Sequence, residues 1–279
     1  MSESDKYPAE SGRRRFVKGV VGGAALAGVG ATGAAAINSA TQASGAGGGA
    51  TQAYAIENTD GPAPRGMPQI PVAIDDEGYL KGVWPEVKTE KQGGISIQIA
   101  ETENFKGSGV TYTSEWFQYC GVESYAGLEP DYDSENYFRV GSNPGYEWQS
   151  ETYSEGDRLH VDDFSNYQTW TGGMGEAVGK GATGRWRSED AEDIIPIQVI
   201  KSDRVMELAQ QDPWIEASTQ DGFIAWLNKC THFCCVPQFK NEGSAKFGAE
   251  NDVYCQCHQS VYDPYSLVQT LFVARPRPE

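Results

Sequence analysis

The sequence predicts an all-β head carried behind an N-terminal transmembrane helix. Three observations predict it. Short apolar segments alternating with polar residues recur from about residue 71 onwards, the period of half-buried strands. Residues 19–37 form an uncharged apolar run that directly follows a basic tail. Two short loops rich in cysteine and histidine lie among the C-terminal strand segments, which places a site on loops between strands. On this reading the chain divides into residues 1–38 (basic tail and apolar run), 39–70 (flexible linker), 71–192 (base-domain strands and insertions) and 193–279 (the site-bearing domain).

Residues 11–18 read Ser-Gly-Arg-Arg-Arg-Phe-Val-Lys. They resemble the twin-arginine export signal, Ser/Thr-Arg-Arg-x-Phe-Leu-Lys, with Gly12 where Ser or Thr is usual. The resemblance implies export of a folded protein. The apolar run behind it would span about 28 Å as a helix, close to the roughly 30 Å hydrocarbon core. Two readings are open, a cleaved signal ending at the small residues Ala34, Ala35 and Ala36, or a retained anchor. The run exceeds the usual signal-peptide apolar region of about 7–15 residues, which favours retention. Arg13 to Lys18 then stay cytoplasmic by the positive-inside rule, and the head lies on the outer face of the cell membrane behind a single span.

Residues 39–53 are low-complexity Gly, Ala, Ser, Thr and Gln, the composition of a flexible linker. Beyond them, residues 94–100 (GISIQIA), 137–140 (YFRV), 193–200 (DIIPIQVI) and 223–227 (FIAWL) are strand candidates. Pro196 points to an edge strand or a bulge. One short helix is expected after Ser202 as cap, with Val205, Met206, Leu208 and Ala209 on one face. Residues 101–189 are rich in Tyr, Trp, Gly and Asp and read only as loops and short strands.

Lys and Arg total 22 against 39 Asp and Glu, a net charge of −17. Because the N-terminal tail is basic, the remaining body is strongly acidic. Such a body does not bind nucleic acid, where phosphates need Lys and Arg. It fits either a basic partner protein or, the favoured reading, work in high salt, where charge repulsion is screened within about 3 Å at 1 M.

Chemistry concentrates in two segments. Residues 230–237 read Cys-Thr-His-Phe-Cys-Cys-Val-Pro, and residues 255–263 read Cys-Gln-Cys-His-Gln-Ser-Val-Tyr-Asp. Five of the six cysteines and two of the three histidines fall here. Each segment offers a thiolate and an imidazole within a few residues. A structural zinc site ordinarily pairs Cys-x2–4-Cys with His-x3–5-His, unlike these mixed pairs. A c-type haem needs Cys-x-x-Cys-His, and the second segment is one residue short. Cys120, in an aromatic run, reads as a buried free thiol, with a bridge to Cys234 left open. His160 reads as a surface or structural residue.

The two segments resemble the cluster-binding loops of Rieske iron–sulfur proteins, Cys-Thr-His-Leu-Gly-Cys and Cys-Pro-Cys-His-Gly-Ser. The resemblance covers roughly residues 193–279 together with the anchor and linker arrangement, and implies a Rieske-type antiparallel head with a two-loop subdomain holding a [2Fe–2S] cluster. It implies that Cys230 and Cys255 bind one iron and His232 and His258 the other. It implies a Cys235–Cys257 disulfide, in keeping with an oxidising location. Ser260 and Tyr262 match residues that hydrogen-bond a cluster sulfide and a ligand cysteine. Neutral imidazole ligands raise the potential to about −150 to +300 mV, against about −400 mV with all-cysteine ligation. Cys234, Gln256 and Gln259 depart from the pattern, standing where the family has Gly, Pro and Gly. The family's Pro-rich third loop has only a weak counterpart in residues 274–278, so the closing strands are either missing or supplied from earlier in the chain.

The function this implies is the electron-transfer subunit of a quinol-oxidising cytochrome bc-type complex. His258 would hydrogen-bond quinol and accept its proton. The partners would be a membrane, a cytochrome b-type subunit, and a cytochrome c1-like or copper-protein acceptor. An alternative is the Rieske small subunit of another exported oxidoreductase, similar to that of arsenite oxidase. A Rieske oxygenase is excluded, because only His160 remains for its separate 2-His-1-carboxylate iron site.

Overall fold

A computed structural model describes residues 50–62, 66–92, 94–170, 179–239 and 251–273. All of them belong to one compact unit. The twin-arginine sequence, the apolar run and residues 39–49 of the expected linker lie outside the described residues. Among the described residues no helix is long and apolar enough to cross a membrane.

The described chain is mostly β and its sheets are antiparallel. In order, the strands are β1 (Ala50–Asp60), β2 (Met67–Ile70), β3 (Val72–Ile74), β4 (Leu80–Gly82), β5 (Val87–Gln92), β6 (Ile95–Thr102) and β7 (Tyr112–Thr113). There follow β8 (Lys180–Trp186), β9 (Ile195–Lys201), β10 (Phe223–Leu227), β11 (Gln238–Phe239), β12 (Val253–Cys255) and β13 (Ser260–Val273). Eight of them form one sheet, ordered β11-β12-β13-β1-β2-β10-β9-β8.

This order corrects the expected linker of residues 39–70. Ala50–Asp60 pairs with β13 from Ala50 opposite Val273 to Asp60 opposite Val261. Met67–Ile70 joins β1 to β10. The low-complexity look of residues 39–53 hid the start of β1, because Ala53 is small yet fully buried. An early strand thus lies inside the sheet, between β13 and β2. The expected split at residues 192/193 is crossed by β8–β9 pairing along the whole of β8, so strands from both sides share one sheet.

Strands β9 and β10 lie inside the sheet with both faces covered, which is why they read as nearly continuous apolar runs. Phe223, Ala225 and Leu227 enter one core with Ile195, Ile197 and Val199, while Ile224 and Trp226 enter a second core with Cys230, Cys255 and Tyr262. Residues 101–189 cover the first face, contributing Trp116, Phe117, Tyr119, Phe138, Leu159 and Phe164. The second face carries the cysteine loops.

Three further expectations need correction. Pro196 is in an interior strand rather than at an edge. Its carbonyl accepts from Asn228 N at 2.9 Å, one position beyond the last β9–β10 pair, so the N–H it lacks is missed only at the end of that ladder. Residues 137–140 form only isolated bridges, opposite Lys81, Arg158 and Arg185. The expected helix, α2 (Asp203–Ala209), is capped by Ser202, yet Met206 faces outward at 37 % exposure. Two helices were not foreseen, α1 (Glu147–Thr152) and α3 (Pro213–Ser218). In α3, Pro213 opens the first turn and the Asp212 carboxylate accepts from Trp214 N and Ile215 N, a strong start signal.

Candidate metal centre

Two loops build the site. The first leaves β10, and its base is closed by Asn228, whose side chain donates to the Pro237 carbonyl at 2.9 Å. The second joins β12 to β13 across the pair Cys255–Ser260. The loops share one backbone plan. Cys234 N donates to the Cys230 carbonyl at 2.9 Å, and Gln259 N donates to the Cys255 carbonyl at 2.8 Å. Cys234 and Gln259 are both left-handed, with φ of 60° and 67°. These are the two places where the resemblance puts glycine, and the left-handed backbone is the physical reason.

Each turn points amide hydrogens at a cysteine sulfur. The N–H groups of His232 and Phe233 point at Cys230, and those of Cys257 and His258 at Cys255. Both thiols are free and buried, at 2 % and 1 % exposure, and are hydrogen-bonded to each other. That bond is the chief cause holding the Cys230 thiol well below its ordinary value; burial opposes it, and Tyr262 and the two amides add to it. The same bond, with burial, holds the Cys255 thiol up. The pair therefore favours one negative charge, on Cys230 sulfur, with Cys255 as the thiol that donates to it. The Tyr262 hydroxyl lies 3.1 Å from Cys230 Sγ and accepts from Thr231 N at 3.2 Å.

The imidazoles meet at the loop tips. The His232 and His258 ring centroids are 4.8 Å apart, and Phe233, 66 % exposed, packs against both. A disulfide joins Cys235 to Cys257 and so ties the loops together. The Sγ atoms of Cys235, Cys255 and Cys257 lie within 4.8 Å of one another, a grouping that could hold a metal ion. Two of the three are spent in the disulfide, so Cys255 is the thiol left to act as a ligand.

Several buried polar atoms lack a hydrogen-bond partner among the described residues, Asn228 Oδ1 at the base of the first loop included; the two on the cysteine–histidine segments are His232 Nδ1 and Ser260 Oγ. An unpaired buried polar atom costs about 1–3 kcal/mol. Each makes sense facing a group that accepts its lone pair or its hydroxyl hydrogen. The donor set therefore fits a metal: two buried thiols inside amide cradles, two adjacent imidazoles, and a buried hydroxyl at the end of the second loop. The chain matches no family model, no curated protein and no solved structure. What the site does is thus argued from its own geometry.

The residues expected at the site, Cys230, His232, Cys255, His258, Ser260, Tyr262 and the Cys235–Cys257 pair, fall on these two loops and the first residues of β13. Cys120 is the correction. It is bonded to Cys234, not a free thiol. Parity signals this, since two ligands and one bridge leave Cys120 and Cys234 over. Asn228 was missed and has no motif to reveal it. His160 is structural, its Nε2 lying 2.8 Å from the Glu77 carbonyl and its Nδ1 accepting from Asp162 N at 3.2 Å.

Proposed function

We propose that this chain is the Rieske-type iron–sulfur subunit of a quinol-oxidising, cytochrome bc-type complex. One observation carries the reading: two buried free thiols and two adjoining imidazoles gather where a disulfide joins two like-built loops. Cys230 and Cys255 would hold one iron, His232 and His258 the other. When bound, the [2Fe–2S] cluster supplies one-electron transfer at about −150 to +300 mV.

The chain's own residues provide the setting. Amides 232, 233, 257 and 258 stabilise charge on the two ligand sulfurs. Tyr262 adds a hydroxyl at Cys230 Sγ, and Ser260 Oγ is free to donate to a cluster sulfide. His258, in the exposed part of the second loop, hydrogen-bonds the quinol hydroxyl and holds its proton on the ring nitrogen not committed to iron. Residues 19–37 anchor the head to the outer face of the cell membrane beside a cytochrome b-type subunit, and a cytochrome c1-like or copper protein takes the electron onward.

The test is metal and acid-labile sulfide analysis of native full-length protein, with EPR after reduction. Equal iron and sulfide with the low average g value of mixed Cys/His ligation is expected. Zinc, or no metal, sinks the reading.

A further inference from the structure

The first loop is gripped from a side of the molecule that the Cys/His motif does not include. Residues 119 and 120 meet it at three successive places. The Tyr119 hydroxyl donates to the Lys229 carbonyl at 2.8 Å. Cys120 Sγ lies 3.3 Å from the Cys230 carbonyl. Cys120 is also bonded to Cys234, with Cα atoms 5.2 Å apart. Contacts at 229, 230 and 234 bracket Cys230 on both sides along the chain.

The grip is itself anchored. Trp116 and Phe117 are fully buried in the aromatic core, and the Thr113 hydroxyl accepts from Glu115 N at the start of their turn. Cys120 and Cys234 are both left-handed, with φ of 56° and 60°. A β-carbon disfavours that backbone, so something must hold residue 234 in it. Cys234 N–H, bonded to the Cys230 carbonyl, closes the turn within which the amides of His232 and Phe233 meet Cys230 sulfur. The second loop meets the same need differently. Its Gln259 has no bridge, but Gly61 packs so closely that a Cβ there would lie 2.4 Å from the Gln259 carbonyl oxygen.

We propose that Tyr119 and Cys120 form a strap that positions Cys230 and the amides aimed at its sulfur, and through them sets the reduction potential. This rests on Cys230 being an iron ligand. Hydrogen bonds to a ligand sulfur favour the electron-rich reduced state. A slack strap therefore lowers the potential and opens the ligand to chelators. Tyr119 and Cys120 are positioning residues, acting only through the first loop.

The experiment uses the full-length protein and two variants. Cys120→Ser with Cys234→Gly removes the bridge, leaves no lone thiol, and gives the left-handed position to glycine. Tyr119→Phe keeps the ring and removes its donor. Three readouts are taken: iron content, midpoint potential, and amide hydrogen exchange. Both variants are expected to keep wild-type iron content, to have lowered potentials, and to exchange amides 232–234 about tenfold faster while β9 and β10 stay unchanged. A stabilising staple alone would shift the melting temperature and leave the potential and those amides as in wild type; that result overturns the strap. Iron-free wild-type protein would bring down the cluster reading instead. The strap is then decided by exchange, supported by acceleration confined to residues 230–234 and overturned by uniform acceleration or none.

Discussion

Ser260 presents a fully buried hydroxyl that finds no partner among the described residues, while Tyr262, two residues on, has Cys230 Sγ at 3.1 Å. The contrast predicts different costs. Ser260→Ala removes an unsatisfied group, so the cluster-free protein should be unchanged or stabilised by about 1 kcal/mol. The loaded protein should lose potential. Tyr262→Phe removes a bond that already exists, so it should destabilise the fold by about 1 kcal/mol as well as lower the potential. A donor worth about 1.4 kcal/mol more to the reduced state moves a one-electron couple by about 59 mV. Redox titration and melting of both variants check this; an unchanged potential in Ser260→Ala removes its role. Asp252, behind the second loop, gives a pH prediction. Its carboxyl is pushed up to about 7, first by burial, then by Asp263, with Arg204 opposing. The unfolded value is about 3.9, so the native state binds the extra proton between about pH 4 and pH 7. That stability is intact below about pH 4 and is lost as pH rises through about 7. Asp252→Asn should therefore melt higher than wild type at about pH 8, with the gap closing near about pH 4. A gap independent of pH rejects the assignment.

At the scale of elements, the turn after β1 bears on the second loop as the strap bears on the first. Gly61 has φ of 81°, and an added Cβ would lie 2.7 Å from Ser260 Cα. Backbone cannot swing aside as a flexible side chain can. Gly61→Ala should cost about 1–3 kcal/mol and loosen Gln259 and Ser260. Melting temperature and the rate of iron loss to a chelator measure it, and a variant matching wild type in both removes the turn from the site. Which elements were legible follows from where the signal lay. β10 and β9 were read from apolar runs because both of their faces are buried. The two cysteine–histidine loops were legible from residue type and spacing, since thiols and imidazoles are uncommon in this chain and cluster there. Residues 137–140 alternate because Phe138 and Val140 are buried, yet their backbone makes only isolated bridges, so the period reported burial and not a ladder. β1 escaped notice because its pairing partner, β13, lies some two hundred residues onward, near the other end of the chain. The Cys120–Cys234 bridge spans 114 residues, and no local pattern records such a partner. In the chain-entropy account a loop of about 100 residues is worth about 4.7 kcal/mol. The bridge should thus contribute substantially to stability as well as hold the loop.

For the whole molecule the governing quantity is a net charge of −17. Repulsion among surplus carboxylates acts over about 10 Å at 0.1 M salt and about 3 Å at 1 M. Salt also weakens attractive pairs, and the head has several: Arg139 with Glu135 and Glu189, Arg158 with Glu135, and Arg185 with Glu155. Exposed pairs of this kind are each worth only about 0–1 kcal/mol. They also take up basic groups, which leaves the acidic excess without local counter-charge. Repulsion should therefore outweigh attraction, and the melting temperature should rise as KCl increases. The shape of the rise separates two causes. Screening is nearly complete by about 1 M, so a rise due to repulsion is steep at low salt and then flattens. Exclusion of the salt from the protein surface would keep adding stability as concentration grows. We expect the flattening curve from a KCl series followed by circular dichroism. A melting temperature that falls with salt would mean that the few arginine pairs dominate, and that the acidic surface is not an adaptation to high ionic strength.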